Sequence, residues 1–393
     1  MFNKRGGGAM EKVAKNINIS AVTCARKRKL SEISLSPGGR IWHEGKEYVN
    51  FSSNDYLALS GHPGIISAAG AALFPQVGTA SSRLMTGNTS YHRLLEDKIA
   101  EFKNKPAALV FNSGYQANVG VISFLVGHGD CVFSDRLNHA SIVDGIKLSG
   151  ARCFRFRHND AAHLEDLIQK YRKNFKKALI VTESVFSMDG DEAPLKDIVD
   201  IKNSHACVLM VDEAHATGVF GPEGSGMAGE SGLSGEIDIV MGTFSKALGV
   251  FGSYVATETE LKELLVNGCR SLIYSTALPV SIISGCLAAI DAVRNESWRR
   301  EELLLKAAHF RQNVKVDIVP GRSQIVPVLV GDDLGALAMA EALKTKGWWV
   351  TAIRPPTVPL GGARLRVSIT MHHDIGTLDR FIDDINRLLE RRP

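Results

Sequence analysis

Val208-Leu209-Met210-Val211-Asp212-Glu213-Ala214-His215 decides the fold: four apolar residues run straight into two acids and a histidine. So short an apolar run reads as a buried strand rather than a helix. An acid at its end is costly in apolar surroundings unless it finds a partner. About 34 residues on, Thr243-Phe244-Ser245-Lys246-Ala247-Leu248-Gly249 follows a second apolar run. The Lys246 stem lies among small residues, which suits an amine that must shed its proton and attack a carbonyl. An acid at one strand end and a reactive lysine after another is the layout that pyridoxal 5'-phosphate (PLP) requires. Asp212 would keep the pyridine nitrogen protonated, and Lys246 would carry the aldehyde.

Working outward, the same alternation recurs. Residues 107–111 form an apolar run that stops at Asn112-Ser113-Gly114, and 115–126 have helical character. Short apolar runs at 131–133, 153–156, 178–181, 237–240 and 254–256 are separated by helical stretches. This predicts an α/β fold with a mostly parallel central sheet flanked by helices. Upstream, 11–30 reads as a polar, basic helix and 41–51 as a strand pair. Residues 90–102 read as a helix with Leu94, Leu95, Ile99 and Phe102 on one side. After residue 275 the texture changes. Helices at 279–295, 298–314, 336–346 and 375–389, with strands at 325–330, 349–353 and 364–369, predict a smaller α+β C-terminal domain. The expected organisation is a leader and N-terminal arm (1–50), a large PLP-binding domain (51–275) and a C-terminal domain (276–393).

The chain has 393 residues, 45% apolar and 22% charged, with a formal charge of +4. That is ordinary globular usage, and the charge is too small to argue for nucleic acid. Its one dense basic run is Arg26-Lys27-Arg28-Lys29. No apolar run spans a bilayer, and residues 1–10 lack a signal peptide's apolar stretch. The six cysteines show neither C-x-x-C nor zinc spacing, so a reducing, cytoplasmic setting is expected.

Further candidates cluster at strand ends. Ser113-Gly114-Tyr115 opens a helix, and a helix start offers free N–H groups to a phosphate. His139, in a loop after the 131–133 run, could stack on a flat ring. Glu183, Ser187 and Asp189 follow the 178–182 run, but Asp189-Gly190-Asp191 lacks the regular oxygen ligands of a calcium loop. His215 could donate to the cofactor's phenolic oxygen, and Thr243 could reach its phosphate. Asp212-Glu213-Ala214-His215 also suggests a nucleotide-hydrolysing helicase, but no Gly-x-x-x-x-Gly-Lys-Ser/Thr loop accompanies it. A catalytically silent subunit would be favoured by a missing lysine, and Lys246 is present.

Together these motifs resemble the α-oxoamine synthase family of fold-type-I PLP-dependent transferases. The resemblance rests on Phe51-Ser52-Ser53-Asn54-Asp55-Tyr56-Leu57, Asn112 to Asn118, Ser134 to Ser141, Val185 to Asp191, Asp212 to Gly218, Thr243 to Lys246 and Tyr274-Ser275-Thr276. It implies condensation of an amino acid with an acyl thioester and loss of carbon dioxide. The wording at 352–359 and 363–366 implies L-alanine and a pimeloyl thioester, carried by coenzyme A or acyl carrier protein. The catalytic set would be Lys246, His139, Asp212 and His215. Gly114, Tyr115 and Thr243 would lie near the phosphate, and Ser187 near the ring. Ser275 and Thr276 would reach the phosphate from a second subunit of a homodimer with shared sites. Arg366 would hold the amino-acid carboxylate. Arg28 (or its neighbour Lys29), Asn54 and Thr357 would touch substrate. Two departures stand out: Val77-Gly78-Thr79-Ala80-Ser81-Ser82-Arg83 has fewer glycines than the family's run, and 310–323 is short.

Overall fold

The computed structural model describes residues 30–316 and 318–390. Near its start lie β1 (Ser34–Ser36), β2 (Arg40–His43) and β3 (Lys46–Asn50). The middle of the chain supplies β4 (Ala107–Phe111), β5 (Cys131–Asp135), β6 (Arg152–Phe156), β7 (Ala178–Glu183), β8 (Val208–Asp212), β9 (Ile239–Thr243) and β10 (Ser253–Thr257). The last four are β11 (Ile325–Gly331), β12 (Trp348–Trp349), β13 (Thr351–Ile353) and β14 (Ala363–Ser368).

The central sheet has the order β4-β10-β9-β8-β7-β5-β6. Its pairs are parallel except those of β10, which runs antiparallel to both β4 and β9. The expected mostly parallel sheet is therefore present, with one reversed strand inside it. Burial explains the composition of these strands. On β8, Leu209 and Val211 pack into one apolar cluster and Met210 into the other. On β4, Ala108 and Val110 face the first cluster while Leu109 and Phe111 face the second. A strand covered on both faces needs apolar residues at every position, whereas an edge strand does not. β6 lies at one edge with its Arg152 and Arg155 exposed, whereas β4 at the other edge is covered throughout.

Parallel strands bring their C-terminal ends to one side. The segments after β4, β5, β7, β8 and β9 therefore emerge together, which is where ligands bind in open α/β sheets. They carry Ser113, His139, Ser187, His215 and Lys246.

The expected strand over 349–353 is in fact two. Trp348-Trp349 pairs in parallel with β3, and Thr351–Ile353 pairs antiparallel with β14. The N-terminal hairpin, some 300 residues away in sequence, captures the first half. Phe51 then stacks on Phe381 (centroids 3.8 Å) and on His373 (4.1 Å), fixing the start of the chain to its end. The helix Ser90–Phe102 forms as expected, and Leu95, Ile99 and Phe102 are buried on it. Leu94 does not share that face and is 49% exposed. Its neighbour Leu95 takes the core-facing position. The helix Val280–Asn295 packs on Pro63–Ala71 and on Ser90–Phe102.

Among the described residues no helix is long and apolar enough to cross a membrane. Five cysteines there are free, with Cys153 alone exposed. The predicted helix at 11–30 falls almost entirely outside the described residues, as do Arg28 and Lys29.

Candidate active site

Asp212 ends β8 and is buried. Its Oδ2 accepts from Asn118 Nδ2 at 2.8 Å, and its Oδ1 from the backbone N–H of Ala214 at 2.9 Å. An ionised carboxylate has about four acceptor positions. These two bonds leave room for one more donor. Asn118 reaches Asp212 from the helix Gly114–Leu125, whose first turn is capped by Ser113: its Oγ accepts from Gln116 N at 3.2 Å. The leading N–H groups of that helix have no intrahelical acceptor.

The second amide proton of Asn118 goes to Ser141 Oγ at 2.9 Å. Ser141 Oγ in turn lies 2.8 Å from His139 Nδ1, which also accepts from Ser141 N–H. His139 Nδ1 is therefore an acceptor, and its proton sits on Nε2. The His139 ring is exposed. One asparagine thus connects the acid to the residue expected to stack on a cofactor.

Lys246 follows β9. Its Nζ lies 2.8 Å from His215 Nε2. Burial pulls the amine down to about 8, against the attraction of Asp212 and Glu183, and Arg366 adds to the depression. Burial likewise holds His215 well below its ordinary range, and the cations Lys246 and Arg366 push the same way. His215 is thus neutral at physiological pH. Its other nitrogen, Nδ1, lies 2.8 Å from Tyr56 Oη. Burial raises the Tyr56 phenol above its usual value, so it keeps its proton.

The segment after β7 carries Glu183 and Ser187. Glu183 accepts from His139 N–H at 2.6 Å and from Ser187 N–H at 3.3 Å. Burial, then the nearby Asp212 charge, raises its carboxyl to about 8. Ser187 offers its carbonyl to Arg366 Nε at 2.6 Å. Two residues further along both segments, Asp189 pairs with Arg364 in a buried ion pair. Gly190, at φ +68, turns this segment, and an added Cβ there would strike the Ile325 carbonyl. Only glycine fits.

Arg366 is held from several sides. Beyond Ser187, its Nη1 donates to Asn54 Oδ1 (3.2 Å) and Ser368 Oγ (2.8 Å), and its Nη2 to Tyr56 Oη (3.4 Å). Asn54, Ser187, His215 and Arg366 therefore form one neighbourhood.

The other expected residues are placed as follows. Thr243 is buried; its hydroxyl donates to Gly252 O at 2.8 Å and accepts from Ser245 N–H at 3.2 Å. The neighbouring Ser245 hydroxyl, 2.7 Å away, is the exposed one. Tyr115 is half-exposed and donates to Asp144 Oδ2 at 2.5 Å. The Thr276 carbonyl accepts from Asn112 Nδ2 of its own chain, while its side chain is exposed beside Ser275. Thr357 is exposed in the turn closed by its N–H to Arg354 O. Asn118, Tyr56 and Ser141 were not singled out from sequence. Each acts through a neighbour remote in the chain, and the one local signal is the i, i+4 spacing of Asn118 from Gly114, which puts both on one helix face.

These groups fit PLP. A depressed amine can reach an aldehyde, a buried carboxylate with unused acceptor positions can hold a ring N–H, and a helix start can receive a phosphate. Among the described residues no His/Cys/Asp/Glu cluster could hold a metal ion.

A family model described as aminotransferase class I and II matches residues 46–385. An 8-amino-7-oxononanoate synthase of Geobacter sulfurreducens is 46% identical, covering 92% of this chain and 94% of that protein. One of Saccharophagus degradans is 39% identical over 94% and 95%. A serine palmitoyltransferase from S. paucimobilis, solved with bound PLP, superposes with a TM-score of 0.88 at 31% identity, covering 98% of this chain and 97% of that one. An 8-amino-7-oxononanoate synthase from Francisella tularensis gives 0.75 at 28% identity, over 87% and 98%.

Proposed function

The chain belongs to the aminotransferase class I and II family, and as a PLP-dependent acyltransferase of that family we propose that it joins L-alanine to a pimeloyl thioester. Carbon dioxide and the thiol leave, and 8-amino-7-oxononanoate, an intermediate of biotin synthesis, is formed. Relatives 39–46% identical support this product over that of the serine palmitoyltransferases, whose identities are 29–32%.

When bound, PLP supplies an electron sink for the bonds broken at the amino-acid Cα. Asp212, held by Asn118, would keep the proton on the pyridine nitrogen. His139 would cover the ring and Ser187 would border it, and Gly114, Tyr115 and Thr243 would lie near the phosphate. Lys246 takes the proton from the alanine Cα on Nζ and returns it after decarboxylation. An amine poised near 8 does both at neutral pH. Four of the five Arg366 N–H bonds already have partners in the protein. The alanine carboxylate takes the remaining Nη2 proton and displaces Asn54 or Tyr56 for its second bond. Thr357 and Arg28 or Lys29 would contact the acyl substrate. Two copies form a dimer in which Ser275 and Thr276 complete the partner's phosphate site. The free thiols fit a cytoplasmic setting.

The observation that carries this reading is the Lys246 amine after β9, 2.8 Å from His215 Nε2, with the Asp212 carboxylate at the end of β8 attracting its charge. The test is product mass spectrometry with alanine, glycine and serine against pimeloyl and long-chain thioesters, the pimeloyl donor on both coenzyme A and carrier protein. Alanine with pimeloyl is expected to give the dominant product. A preference for serine or glycine with another acyl group moves the enzyme to a different branch of the family.

A further inference from the structure

The hydrogen bonds around Tyr56 leave little freedom. Arg366 can only donate, so the Asn54 atom that receives its Nη1 proton is an acceptor oxygen. Tyr56 Oη lies 3.0 Å from that same oxygen and donates its single proton to it. The phenol has no second proton for His215. Its 2.8 Å contact with His215 Nδ1 is therefore made by a proton on Nδ1. His215 is neutral, so Nε2 carries a lone pair, and that lone pair faces the Lys246 amine at 2.8 Å.

We propose that, before PLP binds, Tyr56 is a positioning residue that fixes which nitrogen of His215 bears the proton, so that Nε2 accepts a hydrogen bond from the free Lys246 amine. The inference rests on Lys246 being the reactive amine. It adds a residue that does not touch the lysine and that meets Arg366 at Nη2. It also links the two: Arg366, Asn54, Tyr56, His215 and Lys246 form one chain of hydrogen bonds.

The consequence is electrostatic. A lone pair on Nε2 favours the ammonium form of Lys246, because a hydrogen bond to the charged form stabilises it. Asp212 and Glu183 act in the same direction, while Arg366 and burial oppose them; His139 faces the same space. Without the phenol, the Nδ1 proton would confront the Arg366 guanidinium, which has only donors. The favoured tautomer then has Nδ1 bare and the proton on Nε2, where it repels the ammonium. Asn54→Ala has the same effect by another route. The Tyr56 proton, released from Asn54, turns to Nδ1 and drives the imidazole proton to Nε2.

The test follows cofactor capture by the full-length protein. Added PLP is captured by the unprotonated amine, so the capture rate against pH rises through the Lys246 midpoint. The wild-type midpoint is expected at about 8. Tyr56→Phe and Asn54→Ala should each lower it by about one pH unit, the size expected for one hydrogen bond to a charged group. A purely structural role for Tyr56 would weaken the fold and leave the midpoint in place. A midpoint that stays or rises in both variants overturns the proposal. Asn54→Ala leaves Tyr56 and its buried hydroxyl in place, so it decides the matter if Tyr56→Phe folds poorly. Borohydride reduction and peptide mapping provide the separate check on Lys246. PLP found on another lysine would refute the site assignment on which the role of Tyr56 rests, whereas PLP on Lys246 with an unmoved midpoint would refute the role of Tyr56 alone.

Discussion

Asp189 and Arg364 form a buried ion pair two residues along from the Ser187–Arg366 contact on both segments. Two rungs therefore tie the segment after β7 to β14, and the Arg366 guanidinium sits on the second. Removing one partner of a buried pair leaves an uncompensated charge and costs about 3–5 kcal/mol, whereas replacing both with apolar residues can be near neutral. Asp189→Ala should lose stability of that order in urea melts and raise the KM for alanine. The double variant Asp189→Leu with Arg364→Met should recover much of the stability but not the KM. A loss below about 1 kcal/mol for Asp189→Ala, the value of an exposed pair, would show that the rung carries no load.

Asp212 and Asn118 make a second prediction. Asp212→Asn keeps the shape but not the charge that holds a proton on the ring nitrogen. The variant should retain some cofactor and lose most of its turnover. Asn118→Leu leaves the acid in place, removes one of its two donors and cuts the link between Asp212 and the Ser141–His139 pair. It should weaken PLP binding by about tenfold, the loss of roughly one charged hydrogen bond, as read by absorbance titration. Unchanged turnover in Asp212→Asn would contradict the role given to the carboxylate.

The central sheet was legible because its strands are covered on both faces. Continuous apolar runs such as 208–211 carry their own signature, and their ends mark the ligand side. Lys246, Asp212 and His215 followed from that placement. What stayed hidden was pairing across long sequence distances. Trp349 reads as the start of the 349–353 strand until β3 arrives from the far end of the chain and pairs with Trp348-Trp349. Asn118 and Tyr56 are polar residues in helical or loop text, and nothing nearby shows that Asp212 and His215 are their partners. Leu94 and Leu95 are both apolar, and only packing decides which is buried.

His158 gives a prediction in pH. It bridges Asp135 Oδ1 (3.0 Å) and Asp191 Oδ2 (2.7 Å), tying the end of β5 to the segment that carries Ser187. Burial opposes its charge, but hydrogen bonds and charge attraction from the two aspartates win and raise it to about 10 from 6.5. The folded state therefore binds this proton more tightly than the unfolded chain. The stabilisation is fully present below pH 6.5 and is lost as pH rises through about 10. Melting temperatures of wild type and His158→Gln should differ most at pH 6 and converge near pH 10. A gap that is constant across this range would mean that the proton is not bound on folding.

The last prediction concerns the second copy. Ser275 lies beside an exposed Thr276 and Tyr274, the latter 73% exposed, although Asn112 holds the Thr276 carbonyl within the chain. If these hydroxyls complete the phosphate site of a partner, then Lys246 and Ser275/Thr276 of one chain serve different sites. A Lys246→Ala chain and a chain with Ser275→Ala and Thr276→Ala are each impaired as homodimers. In a mixed dimer, one site joins the intact lysine of one copy to the intact hydroxyls of the other. The remaining site lacks both. Co-expression with two affinity tags isolates the mixed dimer, and it should regain activity well above either parent. Sites built within single chains would instead give no gain, because no chain in the mixture carries a complete set.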